Sequence, residues 1–238
     1  MSKSIRKTIL AIVLAVCVLG IAKHTMTYSN YQSAQINTSS STDISKMEDI
    51  PDYTGTDTIE INGGNAFFAN EWNQVSEGEI CLSELDSLGR CGTAMIKATS
   101  DTLPTKERGS TGKAKPTGWI QNKYPGIIES DPPYLYNRAH LLMWAISGLN
   151  DDTRNLITGT RHFNLTMLDT ENEVLDHIKN GEVVLYRVTP IFERDDLLAK
   201  GVLMEATNED GSWQICRFVY NVQPGIYLYY ATGDNYVE

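Results

Sequence analysis

Hydrophobic and polar positions divide the chain into stretches of different rhythm. Ile9 to Ala22 is an uncharged run of 14 residues, apolar apart from Gly20, behind a basic head of Lys3, Arg6 and Lys7. A membrane span takes about 20 apolar residues. The run is short for that, and Gly20-Ile21-Ala22 places small residues where a signal peptidase cuts. Residues 1–22 are therefore expected to be a cleaved export signal, with an anchor retained through residues 8–22 as the alternative. A lipoprotein signal is rejected because Val16 is bulky and Cys17 lies mid-run. Residues 23–54 are rich in Ser, Thr, Asn and Gln, have no period, and include Thr38-Ser39-Ser40-Ser41-Thr42. They read as a flexible linker.

Regular patterning begins near Tyr53. Ile59-Glu60-Ile61 alternates like a strand and ends at the turn signal Asn62-Gly63-Gly64-Asn65. Glu79 to Met95 offers two short strand-like pieces around Ser87-Leu88-Gly89. Residues 161 to about 179 read as a helix, with Val174, Leu175 and Ile178 at helical spacing and Asn180-Gly181 as the stop. Four strands follow, in Glu182 to Pro190, Gly201 to Ala206, Trp213 to Asn221 and Ile226 to Tyr230. This order predicts an α+β domain over 55–238 with an antiparallel β-sheet core.

A hydrophobic content of 41% and a charged content of 21% suit a chain that buries a core. The cysteine spacing fits no zinc motif. Cys81 and Cys91 flank the Ser87-Leu88-Gly89 turn and would pair outside the cell or stay free; spacing decides neither. Cys216 is expected to be free and buried in a strand. The formal charge is −10, and losing the three cations of the leader would make it −13. Such a body repels nucleic acid at long range. The turn-rich segment 104–126 reverses the sign locally: Lys106, Arg108, Lys113, Lys115 and Lys123 face only Glu107, a net +4.

The candidate chemistry lies between Tyr134 and Glu171. An apolar run ends at Asn137, Arg138 and His140. Polar islands follow at Arg154-Asn155 and Arg161-His162-Phe163-Asn164, and Glu171 comes seven residues after Asn164. Phosphodiester hydrolysis needs a base for water, and imidazole titrates near working pH. Phosphate oxygens suit the planar guanidinium fork, and a hard divalent cation takes amide oxygens and water. On a helix from 161, Asn164 and Glu171 share one face two turns apart. His162 and His177 are expected at the surface, and Trp119 and Tyr124 in packing rather than base stacking.

Asn137-Arg138-Ala139-His140, Arg154-Asn155-Leu156-Ile157-Thr158-Gly159-Thr160-Arg161, Asn164 and Glu171 resemble the DNA/RNA non-specific endonucleases, the ββα-metal nucleases. The likeness extends through Lys115-Pro116-Thr117-Gly118-Trp119, Tyr186-Arg187-Val188-Thr189-Pro190 and Asn221-Val222-Gln223-Pro224-Gly225. It covers about 55–238. Many members have Asp-Arg-Gly-His where this chain has Asn-Arg-Ala-His; a streptococcal-type branch also has Asn first. The resemblance implies a ββα-metal motif at the sheet edge, with His140 as general base and Asn164 as the direct ligand of Mg²⁺, for which Mn²⁺ would substitute. Asn155 would support the site, Glu171 would hold metal-bound water and Arg138 would face the phosphate. Arg108, Arg161, Lys113 and Lys115 are the candidates for further substrate contacts.

These readings converge on an exported, monomeric endonuclease acting on DNA, with RNA as a second substrate, and leaving 5′-phosphate ends. Three alternatives stand beside it. One is a nuclease restricted to single strands or RNA. Another is a surface-displayed nucleic-acid-binding protein with reduced or lost catalysis. The third is a cell-wall interaction module, which the basic loop and arginine cluster disfavour.

Overall fold

The computed structural model describes residues 50–110 and 114–238. The expected leader and residues 23–49 of the expected linker lie outside these residues. Among the described residues, no helix is long and apolar enough to cross a membrane. Strands and helices follow in the order β1 (Thr58–Glu60), α1 (Glu71–Gln74), β2 (Ile80–Leu82), β3 (Ala94–Ala98), β4 (Tyr136–His140), α2 (Trp144–Ser147), β5 (Leu156–Thr160), α3 (Arg161–Lys179), β6 (Val184–Ile191), β7 (Gly201–Asn208), β8 (Gln214–Tyr220), β9 (Ile226–Tyr229) and β10 (Asp234–Val237).

Six strands form one antiparallel sheet in the order β1-β8-β7-β6-β3-β2. Strand alternation gives each central strand two inner faces. Val184, Tyr186, Val188, Val202, Met204, Ala206, Ile215 and Val219 point into the main core with Phe163, Met167, Val174 and Ile178 of α3. Leu203, Cys216, Phe218 and Tyr220 point the other way, under Ile50, Ile59, Ile61 and Phe67. That second face also buries Arg187, which donates to both carboxylate oxygens of Glu205 at 2.8 and 2.9 Å and to Glu71 at 3.0 Å. Glu205 accepts from the Phe67 amide as well, so the ion cluster pins the segment before α1 across the sheet.

The hairpin β4-β5 is a separate two-stranded sheet. It reaches the large sheet through Asn221, whose Oδ1 accepts from Thr160 N and whose Nδ2 donates to the carbonyls of Thr158 and Ala199. β5 runs into α3 without a loop, because Thr160 ends the strand and also caps the helix, its side chain accepting from Phe163 N at 3.0 Å. Gly159 permits the close approach of helix and hairpin. A Cβ there would lie 2.6 Å from the Phe163 ring and 2.8 Å from Ala139 Cβ.

The expected strands are present, and α3 has the expected limits, closed by Asn180 and by Gly181 at φ +93°. Cys81 and Cys91, left open between a pair and two free thiols, are both free, as is Cys216. Cys81 faces Met95 in the β2-β3 register. Cys91 is thus four positions out of step, about 13 Å along the ladder, and its thiol instead donates to Leu156 O. Residues 50–54 do not behave as linker, because Ile50 packs under the sheet and Tyr220 donates to Pro51 O. β10, Asp-Asn-Tyr-Val, was too polar to read as a strand; its pairing with β9 holds it.

Gly159→Ala is expected to lower unfolding free energy by about 1–3 kcal/mol through overpacking, measured by denaturant titration.

Candidate active site

A cleft of 740 Å³ opens along β4 of the hairpin. β4 supplies Arg138 and His140, the first turn of α3 supplies Arg161 and Asn164, and the 104–114 segment supplies Arg108. The backbone that carries them is clamped by carboxamides. Gln121 accepts from Tyr136 N at 2.8 Å and donates to Tyr136 O at 2.6 Å. Asn155, fully buried, does the same to Leu142, at 2.9 and 3.0 Å. His140 therefore stands on a strand gripped on both sides. Asn155 supports the site from behind and does not line it.

His140 is 7% exposed, and its Nε2 lies 2.9 Å from Asn150 O. A carbonyl only accepts, so Nε2 carries the proton and Nδ1 keeps its lone pair. Burial pushes the imidazole pKa down from 6.5; the Asn150 carbonyl opposes this and the Arg108 charge adds to it. The ring is neutral near pH 7.

Arg138 stacks on the Trp119 indole, 4.6 Å from the ring centroid, and its Nε donates to Ala114 O. This leaves the terminal nitrogens for a ligand. Trp119 thus packs, as expected, but also walls the cleft. The first-turn amides of α3 are already used: Arg161 N donates to Leu135 O, His162 N to Gln223 Oε1 and Phe163 N to Thr160 Oγ1. An anion here would depend on guanidinium side chains rather than on helix amides.

Glu171 lies outside the cleft lining, 5% exposed on the inner side of α3. Burial pushes its carboxyl up from 4.5 to about 8, with the Arg108 charge pulling the other way. Arg108 therefore acts on both His140 and Glu171. Asn164 offers an amide oxygen at the cleft surface. Among the described residues, no group of three or more His, Cys, Asp or Glu converges. The donors fit a hard cation held by Asn164 and water.

Five buried side-chain atoms among the described residues lack a hydrogen-bond partner: Asn137 Nδ2, Asn150 Oδ1, Thr158 Oγ1, Arg161 Nε and Tyr186 Oη. Asn137 and Arg161 line the cleft, Asn150 holds His140, and Thr158 faces Arg138 across the hairpin. Unmet polar capacity is concentrated at the site.

Other expected contacts fall elsewhere. Lys115 is exposed outside the lining, and Lys113 lies outside the described residues. Arg154 pairs with Asp152 and Glu84. His162 and His177 are half-buried partners of Asp57 and Glu182, each at 2.8 Å, rather than free surface groups. Sequence reasoning missed Gln121 and Tyr134 in the wall. They sit in turn-rich segments, where no periodicity marks a lining residue.

Antiparallel hairpin, imidazole on its first strand, and a following helix with an amide in its first turn define a ββα-metal site. The chain belongs to the DNA/RNA non-specific endonuclease family, whose sequence model matches residues 69–210. It is 33% identical over 112 residues to a protein named deoxyribonuclease from Streptococcus dysgalactiae subsp. equisimilis; the match covers 44% of this chain and 34% of that relative. The chain thus spans about a third of the curated relative's length. Among solved structures it resembles the magnesium-bound nuclease NucA of Streptococcus agalactiae, with a TM-score of 0.65 and 21% identity over 75% of this chain and 87% of that one. It also resembles the zinc-bound Sda1 nuclease, with a TM-score of 0.62 and 24% identity over 76% and 97%.

A carboxyl titrating higher in the folded than in the unfolded chain lowers stability as pH rises between the two values. Metal-free protein should therefore lose stability from about pH 4.5 to about pH 8. Glu171→Gln should flatten this part of the curve, measured by urea unfolding at a series of pH values.

Proposed function

We propose that the chain is an exported, Mg²⁺-dependent endonuclease that hydrolyses phosphodiester bonds of DNA with little sequence preference. The observation that carries this reading is the convergence of His140, Asn164 and three arginines on one cleft. His140 Nδ1 takes a proton from the attacking water, while Nε2 stays bonded to Asn150 O and fixes the ring. Arg138, braced by Trp119, faces the non-bridging oxygens, and Arg161 and Arg108 add positive charge on either side. Mg²⁺ bound through Asn164 Oδ1 and water would neutralise phosphoryl charge and stabilise the leaving 3′ oxygen. Glu171 would accept from a water of that hydration shell. Nothing in this set reads base edges, and phosphate contacts alone do not specify sequence.

Support for the local charge comes from the opposition between the acidic chain, formally −10, and the three cleft arginines. Binding that rests on so few cations weakens with salt, with a slope that scales with their small number. Export rests on the sequence of residues 1–22. RNA stands as a second substrate because the phosphate contacts are blind to the sugar.

Purified protein should nick plasmid with Mg²⁺ and not with EDTA. His140→Ala should remove about 10³-fold or more of this activity without loss of fold; full activity would refute the base assignment. Asn164→Ala should shift the Mg²⁺ titration to higher concentration. The acid limb of the kcat/KM profile should lie below 6.5, because burial holds His140 neutral. Arg108→Ala removes a positive neighbour and should move that limb to higher pH.

A further inference from the structure

Glu171 occupies a position that the helix pattern reserves for an apolar residue. Phe163, Met167, Glu171, Val174 and Ile178 recur at spacings of four, four, three and four along the buried side of α3. Four of them enter the main core, and the fifth is a carboxyl. Across from this stripe lies Tyr186 of β6, whose ring belongs to the same core. Its hydroxyl is fully buried and has no hydrogen-bond partner. Burial and the Glu171 charge both hold that hydroxyl protonated. Two polar groups therefore share one apolar layer without a hydrogen bond between them.

A buried hydroxyl left unpaired destabilises the fold. Phenylalanine would fill the same space without that cost. The arrangement makes physical sense if the hydroxyl has a partner in the working state. We propose that Tyr186 is a positioning residue for Glu171. When Glu171 is ionised and one of its oxygens accepts from a cation-bound water, the Tyr186 hydroxyl donates to the carboxylate from the core side, directly or through one water. The hydrogen bond holds the carboxylate toward the cleft and offsets its loss of solvent. No covalent step is involved, and Tyr186 touches neither substrate nor cation. This inference rests on the reading of Asn164 and Glu171 as the cation site.

Mn²⁺ binding to the full chain, without nucleic acid, tests it through the electron paramagnetic resonance signal of free Mn²⁺. Tyr186→Phe should weaken Mn²⁺ binding about tenfold, as loss of a ligand's outer hydrogen bond does. Its thermal midpoint without metal should be unchanged or higher. In a Glu171→Gln background, Tyr186→Phe should have no further effect on Mn²⁺ affinity. Wild-type affinity in Tyr186→Phe, or an equal loss with and without Glu171, would overturn the proposal. If Asn164→Ala weakens Mn²⁺ binding while Tyr186→Phe does not, only the role of Tyr186 fails. If wild type binds no Mn²⁺, the cation site itself fails. Should Tyr186→Phe not fold, infrared difference spectra of wild type carry the test: the tyrosine C–O band should move on Mn²⁺ addition, and an unmoved band would refute the contact.

Discussion

The hydrogen bonding of a two-stranded ribbon governs the whole site. β4 and β5 have only each other as ladder partners, and a lone hairpin is at best marginally stable in water. Its outward-facing N–H and C=O groups need other partners. Three carboxamides provide them. Gln121 grips Tyr136, Asn155 grips Leu142, and Asn221 ties Thr158 and Thr160 to the start of β7 through Ala199. An amide side chain is suited to this because it carries a donor and an acceptor side by side, as the backbone does. The cleft residues inherit their positions from these bonds.

Polar groups are thus used in two opposed ways. Around the ribbon they are satisfied almost completely, which makes it rigid. Along its side-chain face they are left short of partners, in Asn137, Thr158 and Arg161, and also in Asn150 beside His140. Rigidity in one place lets unmet capacity persist in the other, because relaxed neighbours would rotate to fill it. The Arg108 charge completes the pattern by disfavouring a protonated His140 and favouring an ionised Glu171. One cation thus favours a neutral imidazole and an ionised carboxylate.

Much of this was legible in the residues. The helix announced itself through Val174, Leu175 and Ile178 and through the Asn180-Gly181 stop, and the later strands through their alternation. His140, Arg138, Arg161, Asn164 and Arg108 do share a cleft. What escaped was long-range and non-periodic. Gln121 acts on Tyr136 from a turn-rich segment, and no local pattern marks a clamp. Cys81 and Cys91 looked adjacent across a turn, yet register, which spacing does not determine, puts them four positions apart. Glu171 gave the sign of an acid on a helix but not its depth, because depth depends on which face the sheet covers.

β5 and α3 share Thr160 as last residue and cap, so no flexible joint separates the strand-borne imidazole from the helix-borne amide. The two halves of the reaction centre behave as a single machined part. A binding protein or small molecule that plugged the cleft would meet imidazole and amide together, at a spacing it could not easily alter.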